Sequence, residues 1–86
     1  MKKFFTVYSE TDCEFCKKAI ELLDKRNLRF LVVVMDKNPE FIEKVKRDMN
    51  RTTVPIIIEN LELGARIIGG SDDLESYLNS PEFSND

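Results

Sequence analysis

The chain contains two cysteines, and both lie in the segment Thr11-Asp12-Cys13-Glu14-Phe15-Cys16 with the spacing Cys-x-x-Cys. An apolar run, residues 4–8, precedes this segment, and a stretch with helically spaced apolar residues follows it. A strand that passes into a helix at such a pair is typical of a redox dithiol. Cys13 falls at the helix start, where unpaired N–H groups and the helix dipole favour a thiolate, the attacking species in disulfide exchange. Cys16 lies one turn further on, within reach of the Cys13 sulfur.

Three other roles for the cysteine pair are open. A structural zinc site needs four N or S ligands, and a chain with two Cys and no His would have to share such a site with a second chain. A structural disulfide over so short a loop would constrain the unfolded chain little. Burial of both cysteines in a core is disfavoured by their charged neighbours Asp12 and Glu14. The redox dithiol is the favoured interpretation, and no metal site is predicted.

Length and charge narrow the class of protein. A chain of 86 residues predicts one domain over residues 1–86, and the net charge of −3 gives no case for binding nucleic acid or an anionic membrane. No apolar run approaches the length that spans a bilayer, and residues 1–3 lead into a predicted strand without a signal-peptide pattern. We therefore expect a reducing, cytoplasmic setting, in which a lone Cys-x-x-Cys is catalytic more often than structural.

The remaining pattern predicts an α/β domain with the element order β-α-β-α-β-β-α. The predicted strands cover residues 3–8, 29–35, 54–58 and 65–68, and the predicted helices cover 14–26, 39–49 and a segment that begins at Ser71 and ends before Asn79. The unbroken apolar run in residues 30–34 predicts a central strand buried on both faces, and residues 59–63 predict a turn. Asn38 is the predicted N-cap of the second helix, with Pro39 at its first position. A stripe of apolar residues in the first helix is expected to face the core: Phe15, Ala19, Leu22 and Leu23.

Two later segments carry further signals. Thr53-Val54-Pro55 stands at a strand start, and an edge-strand proline would explain it. We predict instead that Pro55 is cis and lies beside the cysteines, which would turn the Val54 backbone outward to pair with an extended thiol peptide. Gly69-Gly70-Ser71-Asp72-Asp73 is explained by a tight turn and a helix cap. It also suits an anion site, because free N–H groups at a helix start can hold a carboxylate while Asp72 accepts from an ammonium. Together they suit the amino-acid end of a γ-glutamyl group.

These motifs resemble the glutaredoxins, the small dithiol branch of the thioredoxin superfamily, over nearly the whole chain. The residues that carry the resemblance are Cys13-Glu14-Phe15-Cys16-Lys17-Lys18-Ala19, Arg51-Thr52-Thr53-Val54-Pro55 and Gly69-Gly70-Ser71-Asp72-Asp73-Leu74. The resemblance implies a thioredoxin-like fold, with a four-stranded mixed sheet flanked by three helices. It also implies thiol–disulfide exchange with glutathione as the reducing co-substrate.

The resemblance assigns roles to individual residues. Cys13 is expected to be the nucleophile, and Cys16 is expected to resolve the mixed disulfide. Phe15 matches the aromatic residue beside the glutathione sulfur, and Val54 matches the residue that pairs with the backbone of the glutathione cysteine. The residues expected to contact glutathione are Phe15, Thr53, Val54, Pro55, Gly70, Ser71 and Asp72.

Two positions depart from the family pattern. Glu14 stands where the family commonly has Pro, and Glu10 stands where it commonly has Lys or Arg. With Asp12 they form an acidic collar around Cys13, a name used below for Glu10, Asp12 and Glu14. Negative charge disfavours a nearby thiolate and repels anionic glutathione. The collar is therefore expected to lower the reactivity of Cys13 and to weaken the binding of glutathione.

The resemblance implies a monomeric enzyme that reduces protein disulfides, with ribonucleotide reductase as a family-typical partner. An alternative is a glutaredoxin-like hydrogen donor recharged by a thioredoxin reductase, which Glu10 favours and the Ser71-Asp72 pair opposes. A third is a binding module that holds a [2Fe–2S] cluster between two chains. Relatives specialised for clusters usually keep one active-site cysteine, so Cys16 argues against this third alternative.

Overall fold

The computed structural model describes residues 3–83. Its strands are β1 Phe4–Ser9, β2 Phe30–Val34, β3 Ile56–Leu61 and β4 Gly64–Gly69, and its helices are α1 Glu14–Lys25, α2 Pro39–Asp48 and α3 Ser71–Leu78. The predicted element order is confirmed. The expectation about a signal peptide partly concerns Met1 and Lys2, which lie outside the described residues. Within residues 3–83, no helix is long and apolar enough to cross a membrane.

The four strands form one mixed sheet in the order β2-β1-β3-β4. Strand β1 pairs in parallel with β2 and antiparallel with β3, and β3 pairs antiparallel with β4. Tyr8 lies opposite Ile56, so the end of β1 and the start of β3 meet at one edge of the sheet. The chain therefore brings the Cys-x-x-Cys segment, which follows β1, close to Val54 and Pro55, which precede β3.

Helices cover both faces of this sheet. On one face α1 and α3 contribute to a core of buried side chains: Phe5, Val7, Ala19, Leu23, Ile57, Leu74 and Leu78. On the other face α2 contributes Val45, which packs with Met35 and Ile56. Asn38 caps α2, as its sequence predicts, because its side chain accepts a hydrogen bond from the N–H of Phe41 at 3.0 Å. The result is a layer of two helices, a sheet and a layer of one helix.

The prediction that β2 is a central strand buried on both faces is wrong. Strand β2 lies at the edge of the sheet, and Leu31 and Val34 are 59% and 58% exposed. Phe30 packs against the core on the α1 and α3 face, whereas Val33 packs on the α2 face. The apolar run therefore predicts a strand correctly but does not predict burial on both faces. Val and Phe are enriched in strands, including edge strands in which only some side chains are buried.

The prediction of a turn at residues 59–63 is wrong for residues 59–61 and correct for Glu62 and Leu63. Strand β3 begins two residues later than predicted and continues through Leu61, and the connection to β4 consists of Glu62 and Leu63. Glu59 is fully buried in the strand, where its Oε1 accepts a hydrogen bond from the Tyr77 hydroxyl at 2.7 Å. A partner that lies 18 residues further along the chain holds this carboxylate in the sheet, and no local sequence pattern reports such a contact.

Candidate active site

The two cysteines lie at the start of α1 in unequal surroundings. Cys13 is the N-cap residue of α1, with extended backbone, and its Sγ accepts a hydrogen bond from the N–H of Cys16 at 3.1 Å. The two residues form a disulfide, with their Cα atoms 5.2 Å apart. Cys13 is partly exposed, whereas Cys16 is only 3% exposed. After reduction, the Cys13 sulfur is the accessible one, and the N–H group aimed at it stabilises a thiolate.

A hydrogen bond connects the loop before Cys13 to the turn that follows β2. The N–H of Thr11 donates to Oδ1 of Asp36 at 2.8 Å, across 25 residues of sequence. Hydrogen bonds from the Thr11 side chain and backbone hold the pKa of Asp36 below its usual value of 3.8. Asp12 adopts a left-handed conformation, with φ of 60°, which Asp tolerates better than most residues. The loop that leads into Cys13 is therefore tied to the turn after β2.

A shallow cleft of about 200 Å³ lies beside the N-terminal turn of α1. It is lined by Phe15, Thr53, Val54, Pro55, Gly70, Ser71, Asp72 and Asp73. Every residue that the sequence analysis expects to contact glutathione is in this list. Sequence reasoning missed Asp73 as a cleft residue, although its position in the Gly-Gly-Ser-Asp-Asp segment was a usable signal.

The sequence predicts two places for Phe15, one in the core-facing stripe of α1 and one beside the glutathione sulfur, and the structure excludes the first. Its side chain is 60% exposed and does not face the core, so the prediction of an inward stripe is wrong at this position. Ala19 and Leu23 are fully buried and Leu22 packs on their core, so the rest of the stripe is confirmed. Because α1 begins at Glu14, Phe15 lies in the first turn of the helix. The ring instead forms one wall of the cleft.

The opposite part of the cleft comes from the segment before β3. The peptide bond between Val54 and Pro55 is cis, as the sequence analysis predicts. Val54 precedes the strand, and the pairing of β1 with β3 reaches only Ile56. The backbone of Val54 is thus outside the sheet ladder and at the cleft, which is the arrangement that strand-like pairing with an extended peptide needs.

The N-terminus of α3 forms the third part of the cleft. Gly70 is the N-cap residue, and its N–H donates to Oδ2 of Asp73 at 2.9 Å. The first intrahelical hydrogen bond runs from the N–H of Leu74 to the Gly70 carbonyl at 2.9 Å. The N–H groups of residues 71–73 precede that bond, so they are donors at the positive end of the helix. Gly69 is required here because φ is 122° and a Cβ would collide with the Asp73 carboxylate.

Two lysines of α1 make ion pairs with nearby carboxylates. Lys17 lies 3.5 Å from Oε2 of Glu14, so one member of the acidic collar has a cationic partner. Lys18 bridges to α3, with its Nζ 3.3 Å from Oδ1 of Asp72 and 3.2 Å from Oε1 of Glu75. Hydrogen bonds to Glu75 and then to Asp72 raise the pKa of Lys18 above its usual value of 10.5. Among residues 3–83, no three Cys, Asp or Glu side chains cluster as metal ligands.

Comparison with curated proteins gives several relatives. The chain is 32% identical over 78 residues to hybrid peroxiredoxin hyPrx5 of Haemophilus influenzae. This alignment covers 91% of this chain but only 30% of that protein's length. It is 34% identical over 68 residues to glutaredoxin 3 of Escherichia coli K12, covering 79% of this chain and 77% of that protein. It is also 34% identical over 55 residues to the glutaredoxin-like protein NrdH of Lactococcus lactis strain MG1363, covering 64% of this chain and 75% of that protein.

Solved structures agree with the fold. Glutaredoxin 1 from Francisella tularensis superposes with a TM-score of 0.73 at 22% identity, covering 90% of this chain and 93% of that one. The glutaredoxin family model matches residues 5–62, which include the cysteine pair and the cis-proline. The family model matches most of the domain, and the 34% identical glutaredoxin 3 is covered over 77% of its length. The chain belongs to the glutaredoxin family of thiol–disulfide oxidoreductases.

Proposed function

We propose that the protein reduces protein disulfides through Cys13 and Cys16 and is recharged by glutathione. The observation that carries the proposal is the cleft beside the first turn of α1, the helix that Cys13 caps, because residues far apart in the sequence line it together. Phe15 comes from α1, Val54 and Pro55 from the segment before β3, and Ser71 and Asp72 from α3. A disulfide that served stability alone would not need such a cleft next to the helix that carries it.

The reduction of a substrate follows from the unequal surroundings of the two cysteines. The Cys13 thiolate attacks one sulfur of a substrate disulfide, and the other substrate sulfur leaves as a thiolate and takes up a proton. The resulting mixed disulfide joins Cys13 to the substrate. The Cys16 thiolate then attacks the Cys13 sulfur, releases the second substrate thiol and leaves the Cys13–Cys16 disulfide. Cys16 is buried next to Cys13, so it reaches this sulfur without competing for the substrate.

Glutathione reverses the oxidation in two steps of the same chemistry. The thiolate of one glutathione attacks Cys13, and Cys16 leaves as a thiol. A second glutathione attacks the glutathione sulfur of this mixed disulfide, so glutathione disulfide forms and the Cys13 thiolate returns. The cleft supports the first glutathione with the backbone of Val54 for its cysteine and with the N–H groups of residues 71–73 for its γ-glutamyl carboxylate. Asp72 accepts from the γ-glutamyl ammonium.

The proposed substrates are disulfide-containing proteins of a reducing cytoplasm. Ribonucleotide reductase is one candidate, through the family resemblance. An oxidised peroxiredoxin is another, because the chain matches a part of a hybrid peroxiredoxin over 91% of its own length. Both candidates require an exposed nucleophile on a small domain, which the partly exposed Cys13 supports.

Recharging by a thioredoxin reductase is a second candidate function. It is supported by Glu10, which stands where many family members carry a cation, and by the pairing of Asp72 with Lys18. Both features weaken the electrostatic attraction that glutathione would feel. The chain is similar to a glutaredoxin-like protein as well as to glutaredoxins, and this similarity also supports the second candidate.

A recharging assay separates the two candidates. The oxidised protein is incubated either with glutathione, glutathione reductase and NADPH or with thioredoxin reductase and NADPH, and free thiols are counted over time. The proposal expects recharging by glutathione to be the faster reaction by at least about tenfold, a difference of about 1.4 kcal/mol in activation free energy. Recharging by thioredoxin reductase alone would reject glutathione as the reductant and support the second candidate.

A further inference from the structure

The ammonium group of Lys18 lies next to the Asp72 carboxylate, where the proposed function also places the ammonium group of glutathione. Its Nζ lies 3.3 Å from Oδ1 of Asp72 and 3.2 Å from Oε1 of Glu75. Asp72 lines the cleft beside the first turn of α1, and the proposed function makes its carboxylate the acceptor for the ammonium group of glutathione. One oxygen of that acceptor is therefore already paired with an ammonium group of the protein.

We propose that Lys18 determines the specificity of the cleft by competing with the amino group of glutathione for Asp72. This inference rests on the proposed use of glutathione. Two ammonium groups that share one carboxylate repel each other, so the second gains less than the first would gain alone. The pair is at the surface, since the side chains of Lys18 and Asp72 are 42% and 85% exposed, so the competition tunes binding without blocking it.

Glu75 sets the strength of this competition. It holds the same Lys18 Nζ from the next turn of α3, so the cation is divided between two carboxylates. Without the negative charge on Glu75, Lys18 has Asp72 as its remaining carboxylate partner and competes more strongly. Removal of Lys18 and removal of the Glu75 charge should therefore change amino-group recognition in opposite directions. An orienting role for Lys18 would predict the reverse sign for its removal.

The equilibrium for forming a mixed disulfide with glutathione measures recognition by the cleft without the other steps of the catalytic cycle. In a Cys16→Ser background, the reduced Cys13 thiolate attacks glutathione disulfide, a glutathione thiolate leaves, and Cys13 stays bonded to glutathione. Mass spectrometry gives the equilibrium constant. The second probe is the disulfide of glutaryl-cysteinylglycine, which keeps both carboxylates of glutathione and lacks its amino group. The ratio of the two equilibrium constants reports recognition of the amino group alone.

The proposal predicts the direction of each change in this ratio. Lys18→Met should raise the preference for glutathione by about threefold, and Glu75→Gln should lower it by about twofold, in line with the modest worth of exposed ion pairs. Lys18→Gln is a second variant with the same expected sign as Lys18→Met. Lys17→Met is the matched control, because Lys17 is on the same helix but pairs with Glu14, and it should leave the ratio unchanged.

A ratio that is unchanged or lowered in both Lys18 variants would overturn the proposal. That result is distinguishable from failure of the proposed function, because the ratio needs no turnover and no reductase. If wild-type protein is not recharged by glutathione but Lys18→Met still raises the ratio, the competition stands and glutathione is the wrong physiological reductant. Thermal unfolding of each variant under reducing conditions verifies that the compared proteins are folded.

Discussion

Two carboxylates, that of Asp72 in α3 and that of Glu59 in β3, are held in opposite ways at the two ends of the sheet. Asp72, at the cysteine end, is exposed and shares a lysine with Glu75. Glu59, four residues after Pro55 along β3, is fully buried, accepts a hydrogen bond from the Tyr77 hydroxyl and has Lys3 Nζ 3.7 Å from its Oε2. Helix α3 joins the two ends, since its first turn carries Asp72 and its last turn carries Tyr77.

This difference in burial shows why one carboxylate suits ligand binding and the other contributes to stability. An exposed carboxylate exchanges partners at little cost, because water compensates whichever partner is lost. A buried carboxylate is costly when a partner is removed, because nothing replaces the lost interaction. Glu59 Oε2 has no hydrogen-bond partner among the described residues, so its compensation comes from the nearby Lys3 ammonium. We therefore expect changes at the Glu59 end to alter stability and changes at the Asp72 end to alter turnover.

The largest expected effect that tests this contrast is a loss of stability in Tyr77→Phe. The substitution removes the hydrogen bond to Glu59 and should lower the free energy of unfolding by about 1–3 kcal/mol. For a domain of this size, each kcal/mol corresponds to roughly 4–8 °C in Tm. Thermal and urea unfolding under reducing conditions measure the loss, and glutathione-dependent turnover at 25 °C should stay within about twofold of wild type.

Tyr8→Phe is the matched control for this prediction. Tyr8 is also partly buried, on the α2 face, and its hydroxyl makes no hydrogen bond within residues 3–83. Its removal should change the free energy of unfolding by less than about 0.5 kcal/mol. Equal losses in the two variants, or a large loss of turnover in Tyr77→Phe alone, would break the proposed division between the two ends.

The next prediction concerns alkaline pH. Burial, followed by the hydrogen bond to Glu59 and its charge, raises the pKa of Tyr77 to about 12. The hydroxyl thus stays protonated in the folded protein at pH values where it ionises in the unfolded chain, whose pKa is about 10. Its stabilising contribution is therefore complete below about pH 10 and is lost as pH rises from about 10 to about 12. The stability difference between wild type and Tyr77→Phe should shrink over that range in urea titrations; a constant difference would contradict this.

The smallest expected effect is that of the acidic collar. Glu10→Lys should raise glutathione-dependent turnover about three- to tenfold at low ionic strength, because it replaces a repulsion with an attraction near Cys13. The gain should fall at high salt, where exposed charges are screened. Glu62→Lys is the matched control, since it makes the same change of charge at the exposed hairpin turn, at the opposite end of β3. Equal gains in both variants would assign the effect to net charge alone.

Local sequence information predicts the cysteine end well. The spacing of Cys13 and Cys16, the cap at Asn38 and the start of α3 after Gly70 each depend on a few adjacent residues. Backbone hydrogen bonding at helix ends is also a local property, so these predictions need no knowledge of the remaining fold. The cis form of Pro55 is confirmed for a different reason, since the order of three motifs identified the family.

Contacts between distant residues explain what the sequence analysis missed. The position of β2 at the edge depends on β3 pairing with the other side of β1, and the apolar run in β2 contains no information about that choice. The burial of Glu59 depends on Tyr77, and the pairing of Lys18 depends on Asp72, 54 residues away. Charged residues are ordinarily exposed, so a sequence pattern assigns Glu59 to a turn unless its partner is known.

The central claim is that the start of α1 makes Cys13 the attacking thiol, and alkylation tests it most directly. Reduced Cys13→Ser and Cys16→Ser proteins are titrated with iodoacetamide at neutral pH. Cys16→Ser retains Cys13 and the backbone N–H that donates to its sulfur, so we expect it to react faster by at least about tenfold. Faster alkylation of Cys13→Ser, in which the buried Cys16 is the remaining thiol, would contradict the claim and reverse the two roles.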